Sequence, residues 1–255
     1  MPALRRPRAA ALALVVAGLG LSGAIAGGYQ AHGLVEVTAG PPRWQASTTL
    51  EVPSSTVAAV SPTSLGPPDV ATAPFSAFFD GVLRVRAVEP GALGVGTAFV
   101  VGDGHWALTN EHVVADASRI ELETWDGRSA GTATHVGTAP GGQDLALLRL
   151  DDGLQPALRL RTERPASSEP VVTAGYPAGR WLTREAGEVQ GRARSGGNIV
   201  LVTDLACEPG CSGSPVFDTQ ARVVGVIVGG TSIGQTLAIP IEDASALLRA
   251  NHVLH

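Results

Sequence analysis

Past Pro74 the apolar residues fall into short runs broken by Gly, Asp and Asn. In Val82–Val88 apolar and polar positions alternate, the period of a half-buried strand. Other runs, such as Leu145–Leu150, are apolar almost throughout and read as strands buried on both faces. The pattern predicts strands at Val82–Val88, Gly96–Val101, His105–Thr109, Arg119–Thr124, Thr132–Gly137, Leu145–Leu150, Val171–Ala174, Glu185–Arg192, Ile199–Thr203, Pro215–Phe217, Val223–Val228 and Thr236–Ile239. The period changes at Ile241–Ala250, where Ile241, Ala244, Leu247 and Leu248 share one helical face, so a closing helix is expected. Many short strands and one terminal helix argue for an all-β fold of two antiparallel barrels rather than βαβ units. A domain of this length buries about 70% of its unfolded surface and can stand alone.

The first seventy-odd residues of the 255 behave differently. Arg5, Arg6 and Arg8 precede an uncharged segment, 9–28, rich in Ala, Leu, Val and Gly. A basic region followed by an apolar helix is the pattern of a signal peptide, with Ala24-Ile-Ala26 as a cleavage site. The segment is also long enough to span a bilayer. Residues 1–28 are therefore expected to be either a cleaved signal or a membrane anchor. In both cases the arginines stay on the cytoplasmic side and the rest faces outward. Residues 29–75 are rich in Pro, Ser and Thr, and Thr38–Pro74 carries only Arg43, Glu51 and Asp69 as charges. They are expected to form a disordered linker to a domain at 76–255. The net charge of −5 offers no basic field for nucleic acid. Aromatics make up 4% of the chain, so the core must rest on Val, Leu, Ile and Ala.

The chemistry concentrates in three places. Glu208-Pro-Gly-Cys-Ser-Gly-Ser-Pro215 sets Ser212 on a tight, glycine-containing turn. A serine hydroxyl is a weak nucleophile at neutral pH. It needs an imidazole to take its proton and a carboxylate to orient that imidazole. Thr109-Asn-Glu-His112-Val-Val supplies the imidazole, and Gln143-Asp144-Leu-Ala-Leu-Leu148 supplies the carboxylate. The order His112, Asp144, Ser212 is that of chymotrypsin-like enzymes; an α/β-hydrolase would run Ser, Asp, His. No His-Glu-x-x-His and no zinc-type Cys/His spacing occurs, so neither metal nor cofactor is expected.

At these residues the chain resembles the HtrA/Deg branch of trypsin-like serine proteases. The matching segments run in the family's order over about 80–250. They include Gly96-Thr-Ala-Phe-Val-Val, Ala107-Leu-Thr-Asn-Glu-His-Val-Val114, Gln143-Asp-Leu-Ala-Leu-Leu-Arg-Leu-Asp151, Val172-Thr-Ala-Gly-Tyr-Pro177, Pro209-Gly-Cys-Ser-Gly-Ser-Pro215 and Ala238-Ile-Pro240. The resemblance implies a chymotrypsin-like pair of six-stranded antiparallel β-barrels. It also implies an endopeptidase acting on protein or peptide substrates, with His112 as general base, Asp144 as its orienting carboxylate and Ser212 as nucleophile. The backbone N–H groups of Gly210 and Ser212 would form the oxyanion hole. The sequence ends after the closing helix, so the PDZ domain that often follows in this family is not expected.

Two departures from the family matter. Cys211 stands where Asn is usual, immediately before the serine, and Ser214 stands where Gly is usual. In an exported chain Cys207 and Cys211 are a candidate disulfide that would clamp the oxyanion turn, with oxidation then tuning activity. Ala206, Cys207, Val226 and Val228 are expected to line the primary specificity pocket. With no carboxylate among them, cleavage is expected after small or medium apolar residues. The competing reading is a catalytically silent protease fold serving as a binding or chaperone module.

Overall fold

The computed structural model describes residues 79–254, together with the backbone of β1 (Glu36–Val37) and β2 (Thr48–Thr49), which pair antiparallel. The apolar segment 1–28, and the 29–75 linker apart from β1 and β2, lie outside the described residues. Among the described residues no helix is long and apolar enough to cross a membrane.

The first barrel is built from β3 (Val82–Glu89), β4 (Ala92–Val101), β5 (Trp106–Thr109), β6 (Arg119–Glu123), β7 (Ser129–Thr138) and β8 (Ala146–Leu150). They close in the order β3-β4-β5-β8-β7-β6. Leu83, Val85 and Ala87 alternate as buried positions along β3, and Leu83 and Val85 meet Ala98, Val100, Ala107, Ile120, Leu122, Ala146 and Leu148 in one core. The intervening residues Val82, Phe99, Leu108 and Leu147 join a second core with Phe217, Leu237, Ile239 and the closing helix. Strands β3, β4, β5 and β8 therefore bury both faces, one inside their own barrel and one against the second. That double burial is why Leu145–Leu148 shows no polar alternation.

The second barrel comprises β10 (Pro170–Gly175), β11 (Thr183–Ser195), β12 (Asn198–Thr203), β13 (Pro215–Phe217), β14 (Arg222–Gly230) and β15 (Thr236–Pro240). Its sheet runs β13-β10-β11-β12-β15-β14, and a β13–β14 pairing closes the ring. Gly196 and Gly197, with φ of 56° and 87°, join β11 to β12 in the two-residue turn that suits twisted strands. A two-residue strand, β9 (Arg159–Leu160), adds parallel to β14. An ionic group pins it. Arg161 bonds both Glu169 and Asp218, and Asp218 also holds Arg222 at 2.7 Å.

The fold is thus the expected all-β pair of six-stranded antiparallel barrels. The closing helix begins as a 3-10 turn, Ile241–Ala244, and continues as α2 (Ser245–Ala250). Ile241, Ala244, Leu247 and Leu248 are all buried, as the periodicity required. Elements not expected are β1 and β2, which fall in the segment expected to be a linker, β9, and a one-turn helix α1 (Glu111–Val114).

Candidate active site

The antiparallel pairing of β5 with β8 ends at Thr109 opposite Ala146. This register sets the residues just beyond β5 beside those just before β8. Beyond β5, Asn110 turns the chain into α1, which carries His112. Before β8, Asp144 follows a 3-10 turn at Pro140–Gly142. Asp144 is 6% exposed, and both its oxygens face the His112 segment. Oδ1 accepts the His112 backbone N–H at 2.9 Å, and Oδ2 is hydrogen-bonded to His112 Nδ1. A carboxylate only accepts, so Nδ1 carries the proton and Nε2 keeps its lone pair. Asn110 is fully buried, and its Nδ2 donates to the Asp144 carbonyl at 2.7 Å. Backbone, ring and amide together leave Asp144 little freedom.

Ser212 belongs to the second barrel but is tied to the first. Its carbonyl accepts the Thr97 N–H at 2.8 Å, and the Gly210 carbonyl accepts Thr97 Oγ1 at 3.0 Å. Thr97 Oγ1 in turn accepts the Tyr176 N–H at 3.2 Å, and the Thr97 carbonyl accepts Thr109 Oγ1 at 2.7 Å. This one buried threonine joins the Ser212 turn, the strand leading to His112 and the loop after β10. Gly213, at φ 85°, lies so close to Thr97 and Thr109 that an added Cβ would collide with both. Gly210 has φ of 103°, and a Cβ there would strike the Tyr176 carbonyl. The fold therefore requires glycine at both positions. Among the described residues, the N–H groups of Gly210 and Ser212 donate to no protein acceptor, although their neighbours Cys211, Gly213 and Ser214 all do.

His112, Gly210 and Ser212 line one cleft of about 680 Å³. Cys207, Val228, Gly229, Gly230 and Thr231 form part of its wall. Two of the expected pocket residues are not in that wall. Ala206 is exposed outside the cleft, and Val226 is fully buried in the core shared with the first barrel. The register of β14 shifts between Ile227 and Gly229, just beyond Val226.

The expected cysteine pairing is corrected as well, because Cys207 and Cys211 are two free thiols. They lie within hydrogen-bonding reach of each other. The Cys207 thiol donates to Cys211, which pushes Cys207 up and draws Cys211 down from the ordinary thiol range. Both groups share the Glu208 carbonyl, reached by Cys207 Sγ at 3.6 Å and by the Cys211 N–H at 3.1 Å. Among the described residues, no group of three or more His, Cys, Asp or Glu side chains is arranged to hold a metal ion.

Sequence reasoning quoted Thr97 and Asn110 only as letters within motifs. Their hydrogen bonds reach residues 113 and 34 positions away, and the one sequence signal for them was their place in Gly-Thr-Ala-Phe and Thr-Asn-Glu-His.

A family model described as "Trypsin-like peptidase domain" matches residues 96–226. A probable periplasmic serine endoprotease DegP-like from Pseudomonas putida (strain F1) is 36% identical over 163 residues, 60% of this chain and 34% of that protein. A protein with the same description from Ectopseudomonas mendocina (strain ymp) is 33% identical over 215 residues, 78% of this chain and 44% of its own length. The chain thus spans between a third and a half of the length of these relatives. Among solved structures, the HtrA-type protease AlgW with a tripeptide is 27% identical at a TM-score of 0.64, covering 72% of this chain and 63% of that one. The Rv3671c protease from M. tuberculosis, active form, shares the fold at a TM-score of 0.65 and 23% identity, over 75% of this chain and 93% of that one. The matched segment takes in His112, Asp144 and Ser212, and the chain belongs to the trypsin-like peptidase family, with a protease domain of the HtrA type.

Proposed function

We propose that this chain is an exported serine endopeptidase that cuts peptide bonds through an acyl-enzyme. The observation that carries the reading is the doubly hydrogen-bonded His112–Asp144 pair opening onto the cleft that also holds Ser212. In the first step the Ser212 hydroxyl attacks the scissile carbonyl and passes its proton to His112 Nε2. Asp144 keeps the ring in the productive tautomer and stabilises its charged form, a role worth about 10⁴ in kcat. The substrate oxygen, now negative, accepts hydrogen bonds from the Gly210 and Ser212 N–H groups. Each such donor is worth about 10²–10³. His112 then protonates the leaving amine, and water repeats the sequence on the ester.

The substrates are proteins or peptides. Glu89 and Glu208 also line the cleft, Glu208 with its side chain largely in solvent, but the wall at Cys207, Val228, Gly229 and Gly230 is uncharged, which supports a small or medium apolar residue before the cut. A peptide library cleaved mainly after Arg or Lys would overturn that preference. The periplasmic relatives and the basic-then-apolar N-terminus support an extracytoplasmic site of action, anchored through 1–28 or released from it. No observation favours the silent binding module. The test compares wild type with Ser212→Ala on an unfolded protein substrate. Cleavage by the wild type alone is expected, and equal cleavage by both overturns the assignment.

A further inference from the structure

Among the described residues, Cys207 on the cleft wall and Cys211 behind it form a nucleophilic pair that the proposed chemistry does not use. Cys207 is half-buried and lines the cleft, where a small molecule reaches it. Cys211 is buried among Val171, Leu201, Val216 and Ile227 of the second barrel, so its position is fixed. Between them lie Glu208, Pro209 and Gly210, the last a proposed oxyanion donor. The turn has no slack. The Gly210 carbonyl is held by Thr97 Oγ1, its α-carbon abuts the Tyr176 carbonyl, and the Pro209 carbonyl accepts the Ala178 N–H at 2.5 Å.

We propose that this dithiol is a modification site, the reduced and open member of a redox pair whose oxidation shuts the oxyanion hole. The proposal rests on the protease reading above. A sulfur–sulfur bond of about 2.05 Å requires two sulfurs now in hydrogen-bonding contact to approach much more closely. Cys211 is anchored in the core, so Cys207 and the turn behind it must move. That contraction falls on Pro209–Gly210. An oxyanion donor acts only within about 2.7–3.1 Å of the charge, so a shift of several tenths of an ångström removes it.

The oxidant is a small disulfide, RSSR. The hydrogen bond that raises Cys207 gives its proton an acceptor: Cys207, the accessible thiol, passes that proton to Cys211 as it attacks one sulfur of RSSR and releases RS⁻, forming a mixed disulfide. Cys211 then attacks the Cys207 sulfur and releases the second RS⁻. The two protons lost by the thiols complete two RSH, and two electrons pass from the cysteines to RSSR. The lowered Cys211 thiol suits the resolving role, because the thiolate is the attacking form.

The experiment uses the full chain, reduced and then equilibrated with oxidised glutathione. Intact mass reads the cysteines and ester hydrolysis reads the rate. The expected result is a two-hydrogen mass loss and a fall in kcat/KM of at least about tenfold, reversed by dithiothreitol. The rate of Cys207→Ser, whatever its starting value, should not respond to the oxidant. A disulfide that forms with no change in rate overturns the proposal, and so does a pair that stays reduced or stops at a glutathione adduct. Reduced protein that turns over no substrate overturns the protease reading instead, and the switch with it.

Discussion

Replacing Gly210 with alanine should separate catalysis from folding. Two costs follow from the geometry. First, φ of 103° is closed to side-chain-bearing residues, and holding alanine there costs about 1–3 kcal/mol. Second, the new Cβ would strike the Tyr176 carbonyl and sit 3.0 Å from the Ala178 and Gly179 nitrogens. All three of these neighbours are backbone atoms, so the turn itself must shift. That shift withdraws one oxyanion donor, worth about 3–4 kcal/mol, or about 10²–10³ in kcat. Steady-state hydrolysis of a peptide ester gives kcat and KM, and urea unfolding gives stability. Gly127→Ala is the control. Its φ is 80° with open space around the added Cβ, so it should lose stability and keep its rate. A Gly210→Ala protein that turns over within about threefold of wild type would refute the reasoning, since the donor geometry would then be dispensable.

Other perturbations follow from the same contacts. Asp144→Asn, which can bond His112 only in the wrong tautomer, should lower kcat by about 10⁴ with little change in unfolding midpoint. Thr97→Val removes the hydroxyl that links the Gly210 carbonyl to the Tyr176 N–H, and should reduce kcat more than it raises KM. Asp218 governs acid stability. Burial raises its pKa, but the N–H groups of Arg222 and Gln220 and the Arg222 guanidinium outweigh that and hold it below the usual range. The folded value lies below the unfolded one of about 3.9, so the stabilisation is complete above about pH 4 and lost as pH falls through the folded value. Asp218→Asn should therefore cost about 3 kcal/mol at neutral pH and show a flatter loss of stability below about pH 4.

Much of the fold is legible in the letters because burial is periodic. Strand β3 declares itself through Leu83, Val85 and Ala87 set against Arg84 and Arg86, and the closing helix through its four buried positions. His112, Asp144 and Ser212 stand out in the letters because acyl-transfer chemistry calls for those side-chain types on short, recognisable turns, and the structure sets His112 against Asp144 and on one cleft with Ser212. What escaped has no periodic signature. Strand β9 is two residues long and held by ion pairs to residues far along the chain, and α1 is a single turn. The roles of Thr97 and Asn110 exist only after the barrels close. Spacing alone could not say whether Cys207 and Cys211 are bonded, nor that Val226 is taken up by the core shared between the barrels.

The central claim is that Ser212 is made nucleophilic by His112. The most direct measurement is the site and rate of labelling of the reduced protein by a serine-directed fluorophosphonate, read by mass spectrometry of its peptides. A single adduct on Ser212, abolished by His112→Ala, is the predicted result. An adduct on another residue, or unreactive Ser212 in a fully reduced and folded protein, would contradict it.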